Sequence, residues 1–357
     1  MSLSCEDTRC KTVDPVDKRF VRLQRHRPHL PPSPEGLASL GTIVDGRYEL
    51  QTVLGIGASA VVYLARDPAL RRLVAVKMLA RGASNETVAR FFREEAVAMA
   101  SVCHPNVVQV HAYGEQQGMP YIVMEHVEGQ SVAAFLDSAV TRGEPLYLDV
   151  VLGLVRQVCR GLQAVHDRGI VHRDIKPANM LMDRSYRVVL ADFGLAASLD
   201  PRFSSTLAGT PLYIAPELIR GEQIPEEQLH LCDIYALGVS IYELLTGAGP
   251  FEGDSLREVL DCHLSTPPPR VSDLRPDIPM AFDKVLVRAL HKDPAQRHQS
   301  CRELFEDLFA AREGRSADRL VLVDLELPQG DLRACACINA DQPDAEIPVL
   351  AITAPRG

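Results

Sequence analysis

Two rhythms of apolar and polar residues divide the chain. From Tyr48 onward, residues 48–53 and the mostly apolar run 61–67, set on either side of a glycine loop, read as two strands. A third run, 73–79, is apolar except for Lys77, and strand alternation sets Ala75 and Lys77 on one face. Phe91, Phe92, Ala96 and Met99 then recur at helical spacing and predict a helix over 86–102. His104-Pro105-Asn106 ends it, because proline holds the preceding residue in extended geometry. Strands are expected over 107–112 and 119–124, joined by a turn from Gly114 to Gly118. Beyond residue 130 the helical rhythm dominates. A short helix is expected over 131–138 and a long one over 148–168, with an apolar stripe through Val151, Leu154, Val155, Val158, Leu162 and Val165. Gly169 stops that helix. A strand over 188–190, a very apolar helix opening at 232–238 and a last helix over 301–312 complete the body.

The ends lack this order. Residues 1–44 combine Arg19, Arg22, Arg25 and Arg27 with a proline-rich stretch from Pro28 to Pro34, so they read as a disordered arm. Residues 314–357 form a tail with two strand-like runs, 320–327 and 347–353.

Composition narrows the class. A chain of 357 residues, 46% hydrophobic and 24% charged, can bury a large core and is expected to form two lobes. Its net charge of -9 argues against nucleic acid as a partner, since phosphate backbones need clustered cations. No run of about 18 apolar residues exists, so no transmembrane helix is expected. The first residues lack the basic and then apolar blocks of a secretory signal. Nine cysteines spread over the chain suit reduced thiols, and with the previous points they place the protein in the cytoplasm.

Chemistry-bearing residues gather in one passage, Val171-His172-Arg173-Asp174-Ile175-Lys176-Pro177-Ala178-Asn179, followed by Ala191-Asp192-Phe193-Gly194. Asp174 could accept the proton of an attacking hydroxyl. Asn179 and Asp192 offer the hard oxygen ligands that Mg²⁺ takes. Lys176 could neutralise a transferring phosphoryl group. Upstream, Leu54-Gly55-Ile56-Gly57-Ala58-Ser59-Ala60-Val61-Val62 is a loop whose glycines let backbone N–H groups approach phosphates. Lys77 needs an acid partner if it is to be buried. Glu94 and Glu95 point about 100° apart on the following helix, and Glu95, four residues before Met99, lies on the inward stripe.

These motifs, in this order, resemble the protein-kinase family over roughly residues 48–312, and the run from His172 to Leu181 is particularly similar to bacterial serine/threonine kinases of Hanks type. The resemblance departs from the family pattern at Ala60, which stands where a third glycine is usual. It implies an α+β, bilobal kinase domain over 45–313. The small lobe, 45–125, would carry an antiparallel sheet and one helix, and the larger lobe, 130–313, would be mainly helical. It implies Mg-ATP, or Mn²⁺ in place of Mg²⁺, in the cleft between them. Residues 54–62 would cover the nucleotide, and Lys77, held by Glu95, would grip its phosphates. Val62, Ala75 and Leu181 would sandwich the adenine, the backbone around Glu125 and Val127 would pair with its edge, and Met124 would guard the space behind it. Asn179 and Asp192 would hold the metal, Asp174 would be the base and Lys176 would steady the γ-phosphoryl. Asp233 would anchor the catalytic-loop backbone, and Arg297 would pair with Glu217. Thr206, Ser205 and Ser204 are candidate phosphorylation sites in the activation segment, where Arg173 could meet a phosphate. Protein serines and threonines are the implied substrates, with a homodimer as one route to autophosphorylation. The alternative is a pseudokinase that binds nucleotide without catalysis, which intact Lys77, Asp174, Asn179 and Asp192 disfavour.

Overall fold

The computed structural model describes residues 38–57, 60–80, 86–194 and 211–314. Ala58, Ser59, the 204–206 cluster, the tail after residue 314 and most of the N-terminal arm lie outside the described residues. The small lobe is built from β1 (Ile43–Val44), β2 (Tyr48–Ile56), β3 (Ala60–Asp67) and β4 (Arg72–Leu79), then α1 (Glu86–Ala100), β5 (Val110–Gln116) and β6 (Met119–Glu125). All strands pair antiparallel in the order β1-β2-β3-β4-β6-β5. Alternation sorts the two faces as expected. Val61, Tyr63, Val74, Val76 and Met78 pack with Tyr48 and Leu50 on one side. On the other side Ala60, Leu79 and Ile122 meet Val88, Phe92 and Ala96 of α1. Each fully buried valine, leucine or phenylalanine contributes roughly 1.5–3 kcal/mol.

Three departures from the expected elements have physical causes. Ordering starts before the arm's expected end at residue 44: β1 pairs with Tyr48 and Glu49, and Val44 is fully buried. A two-residue strand leaves no periodicity to read. Second, β5 begins at Val110, because Val107 and Val108 are drawn toward the larger lobe, where Val108 N–H donates to the carbonyl of Leu190 at 2.9 Å. Third, Gly114 lies inside β5 rather than in a turn. A Cβ there would stand 2.3 Å from the Tyr121 hydroxyl, so glycine makes room for the ring across the ladder.

The larger lobe opens with β7 (Gly129–Ser131), α2 (Val132–Arg142) and α3 (Leu148–His166), followed by β8 (Met180–Asp183) and β9 (Val188–Leu190). The three short strands form a second antiparallel sheet. Ser131 caps the start of α2, its Oγ accepting from Ala134 N–H at 3.1 Å, and the helix runs four residues past its expected end to Gly143, whose left-handed backbone (φ 73°) closes it. Then come α4 (Pro216–Ile219), α5 (His230–Thr246), α6 (Leu256–Ser265), α7 (Val271–Leu274), α8 (Ala281–Ala289) and α9 (Cys301–Arg312). One large core joins α2, α3, α5, α8 and α9. Among the described residues, the stretch 226–246 is the one segment long and apolar enough to cross a membrane. It is a core helix instead, with 83% of its apolar window buried inside the lobe. Among the described residues, Cys103, Cys159, Cys232 and Cys301 are free thiols.

Gly129, where the chain passes between the lobes, tests this packing. A Cβ there would lie 2.0 Å from the carbonyl oxygen of Met182, a backbone contact that no rotamer relieves. Gly129→Ala should therefore destabilise by about 1–3 kcal/mol, read as a lower denaturation midpoint. An unchanged midpoint would mean that β7 does not pair with β8.

Candidate functional site

Four segments converge on the cleft. From β4, Lys77 Nζ donates to Glu95 Oε1 of α1 at 2.6 Å and to Asp192 Oδ1 of the larger lobe at 3.0 Å. Glu95 is buried on the inner face of α1 while Glu94 is exposed, which settles the choice between them. Burial works against the Lys77 ammonium, but Asp192 and Glu95 more than compensate and hold it well above the ordinary lysine value. The same ammonium keeps the Asp192 carboxyl below the usual carboxylate range, so Asp192 stays ionised at neutral pH. Its side chain is 45% exposed to the cleft and therefore open to a ligand.

The loop between α3 and β8 supplies the second group. Lys176 Nζ donates to both carboxylate oxygens of Asp174, at 2.9 and 2.7 Å. Asn179 Nδ2 donates to the Asp174 carbonyl at 2.9 Å and to Asp174 Oδ2 at 2.7 Å. Ala191 N–H donates to the Asn179 carbonyl at 3.0 Å, which sets Asp192 one residue from Asn179 along the neighbouring strand.

Asp233 of α5 holds this loop from beneath. Its carboxylate accepts the backbone N–H of His172 at 2.8 Å and of Arg173 at 2.7 Å. Arg173 and Asp192 both sit in the left-handed region, at φ 66° and 56°. For residues other than glycine such backbone costs about 1–3 kcal/mol each, and the bond to Asp233 offsets it at Arg173. His166 of α3, with Nε2 2.8 Å from Asp233 Oδ2, fixes the carboxylate in turn. His172 is fully buried and stacks on Phe193 at 4.6 Å. Burial lowers its pKa, so the ring is neutral. His166 and Phe193 were missed as supports, because no spacing in the chain links residue 166 to residue 233.

The expected adenine-pocket residues gather in one apolar cluster. Ala75 and Met124 pack with Val62, Val127 and Leu181, and the cluster continues to Met99 and Phe193. Leu54 and Ile56 are exposed along β2 beside Gly55. Gly57 N–H donates to the Ala60 carbonyl at 2.8 Å, closing the glycine hairpin with alanine in the third position. Val61 does not belong to the pocket as a side chain. It points to the opposite face of the sheet, as its alternation with Val62 requires. Glu125 ends β6, with its N–H bonded to the Gln109 carbonyl at 2.8 Å.

At the base of the larger lobe, Arg297 Nη1 and Nη2 donate to the two oxygens of Glu217, each at 2.7 Å, with both side chains fully buried. The pair ties α4, just after residue 214, to the turn before α9.

A family model described as the protein kinase domain matches residues 48–310. The chain is 35% identical over 285 residues to the serine/threonine-protein kinase PrkC of Bacillus subtilis, covering 79% of this chain and 42% of that protein. It is 37% identical over 291 residues to the serine/threonine-protein kinase PknB of Mycolicibacterium smegmatis, covering 78% and 45%. The chain thus spans less than half the length of these relatives. Among solved structures, the PknI kinase domain of Mycobacterium tuberculosis matches with a TM-score of 0.61 at 32% identity, over 77% of this chain and 99% of that one.

Proposed function

The chain belongs to the protein kinase family, among the bacterial serine/threonine kinases of Hanks type, and from that premise we propose that it transfers the γ-phosphoryl group of ATP to serine and threonine hydroxyls of proteins. One observation carries the reading: Lys77 is bonded at once to Glu95 in the small lobe and Asp192 in the larger one. A cation so placed, in a cleft lined with apolar residues on its nucleobase side, suits a triphosphate.

Lys77 grips the phosphates while Glu95 keeps its ammonium aimed. Asp174 orients the substrate hydroxyl and takes its proton, and Lys176, bonded to Asp174, stands ready to steady the charge of the transferring group. Hard oxygen donors suit a divalent ion, and the cleft supplies them. Asp192 is ionised, and the Asn179 amide nitrogen is committed to Asp174, which leaves its carbonyl end for the ion. Mg²⁺ or Mn²⁺, when bound, neutralises charge on the phosphates. Residues 54–62 cover the nucleotide, and the backbone of Glu125 and Val127 meets the adenine edge. Autophosphorylation through a homodimer and work in the cytoplasm, where ATP is abundant, complete the reading. No observation favours a pseudokinase.

Incubation with Mg-ATP and a basic acceptor protein, followed by mass-spectrometric mapping, should yield phosphoserine and phosphothreonine. ATP binding with no transferred phosphate would favour the pseudokinase instead. Alanine at Ser204, Ser205 and Thr206 together should lower activity about tenfold, the worth of one charge-assisted bond between a phosphate and Arg173. Unchanged activity in that triple variant would rule out control by these residues.

A further inference from the structure

One guanidinium where the two lobes meet is shared among three segments. Arg187, just before β9, donates from Nη2 to Glu125 Oε1 at the end of β6. Its Nε donates to Asp183 Oδ2 at the end of β8 at 3.1 Å, and its Nη1 to the Pro105 carbonyl in the connector after α1 at 3.2 Å. The turn that carries it is braced. Asp183 Oδ1 accepts from Ser185 N–H at 2.8 Å, Ser185 Oγ at 2.7 Å and Arg187 N–H at 3.0 Å. Gln157 of α3 donates to the Tyr186 carbonyl at 3.0 Å and accepts from Val188 N–H at 2.9 Å. A second pair nearby, Arg184 with Glu128, is 80% and 65% exposed, so solvent screens it. Arg187 and Glu125 are only 35% and 25% exposed, and the arginine is held on two further sides.

We propose that Arg187 is a positioning residue for the nucleotide: anchored in a braced turn of the larger lobe, it clamps the Glu125 side chain and so fixes the last residue of β6 at the adenine end of the cleft. The inference rests on the reading of Glu125 and Val127 as the adenine edge. Arg187 touches no phosphate-binding group, so its effect is confined to the base. The geometry favours arginine over lysine, because a planar fork reaches Glu125, Asp183 and Pro105 together and an ammonium on a flexible stem does not.

The test is binding of adenosine and of ATP, with KM for ATP and kcat, in wild type, Arg187→Met, Arg187→Lys, Glu125→Gln and the Arg187→Met/Glu125→Gln double variant. Arg187→Met should weaken adenosine and ATP by the same factor, about three- to tenfold, and raise KM for ATP to match while kcat at saturating ATP holds. Arg187→Lys should recover part of the loss, and Glu125→Gln should add nothing to Arg187→Met. Wild-type affinity in Arg187→Met, additive losses, or a lower melting temperature and kcat with KM unmoved would each overturn the clamp. If wild type itself binds neither adenosine nor ATP, the nucleotide reading of the cleft falls and takes the clamp with it. Wild-type binding with an indifferent Arg187→Met sinks the clamp alone.

Discussion

Asp174→Asn should reduce phosphoryl transfer by about 10²–10⁴-fold, the usual worth of a positioned general base, with ATP affinity unchanged. The substitution is nearly isosteric. It removes the proton acceptor and the charge that Lys176 holds at 2.7 and 2.9 Å. Asn179 keeps its bond to the carbonyl of residue 174, so the metal-facing amide stays oriented. Lys77, Glu95 and Asp192 are untouched. The decisive comparison is single-turnover transfer beside equilibrium ATP binding on the same preparation. Full activity in the variant would remove Asp174 from the mechanism, and lost binding would move its role to the nucleotide.

Arg297→Met should destabilise the larger lobe by about 3–5 kcal/mol, because it leaves the Glu217 carboxylate buried and alone. Besides the two bonds to Glu217, Arg297 donates to the Leu231 carbonyl at 3.0 Å and the His291 carbonyl at 2.7 Å, and lies over the Tyr235 ring at 4.8 Å. Methionine satisfies none of these acceptors. At the entropy of a domain this size the loss corresponds to a melting temperature lower by about 6–20 °C. The pair also carries a pH signature. Burial pushes the Glu217 carboxyl up, but the bonds from Arg297 outweigh it and leave the pKa below the ordinary glutamate value. A depressed folded pKa gives stability that is fully present above the unfolded pKa, about 4.5, and is lost as pH falls through the folded value. Wild type should therefore lose this contribution only below about pH 4.5, and Glu217→Gln should flatten that part of the stability curve. A melting temperature within a degree or so of wild type in Arg297→Met would show that the pair is not buried as described.

Much of the site was legible because its residues are fixed by short-range rules. The alternation of β4 put Lys77 beside Ala75, and the helical stripe of α1 separated Glu95 from Glu94. Asp174, Asn179 and Asp192 were read from spacing within 19 residues, and the structure brings them around one point. Where reading failed, the cause was a contact between distant segments. Gly114 looked like a turn residue, and only the Tyr121 ring across the ladder explains it. Of the β7-β8-β9 sheet only β9, over 188–190, was expected; β7 and β8, three and four residues long, are too short for a period to show. Arg187 meets Glu125 across 62 positions, and His166 meets Asp233 across 67. Val61 is a different case. Alternation alone set it opposite Val62, and grouping the whole glycine loop as nucleotide-binding overrode a rule that was available.

The most direct measurement is a crystal structure of the chain with Mn²⁺ and a non-hydrolysable ATP analogue, read by anomalous scattering. The metal should lie within bonding distance of Asn179 and Asp192, with the analogue's phosphates against Lys77 and its base among Val62, Ala75 and Leu181. A metal bound elsewhere, or a nucleotide absent from the space between Lys77 and Asp192, would contradict the cleft as a phosphoryl-transfer site.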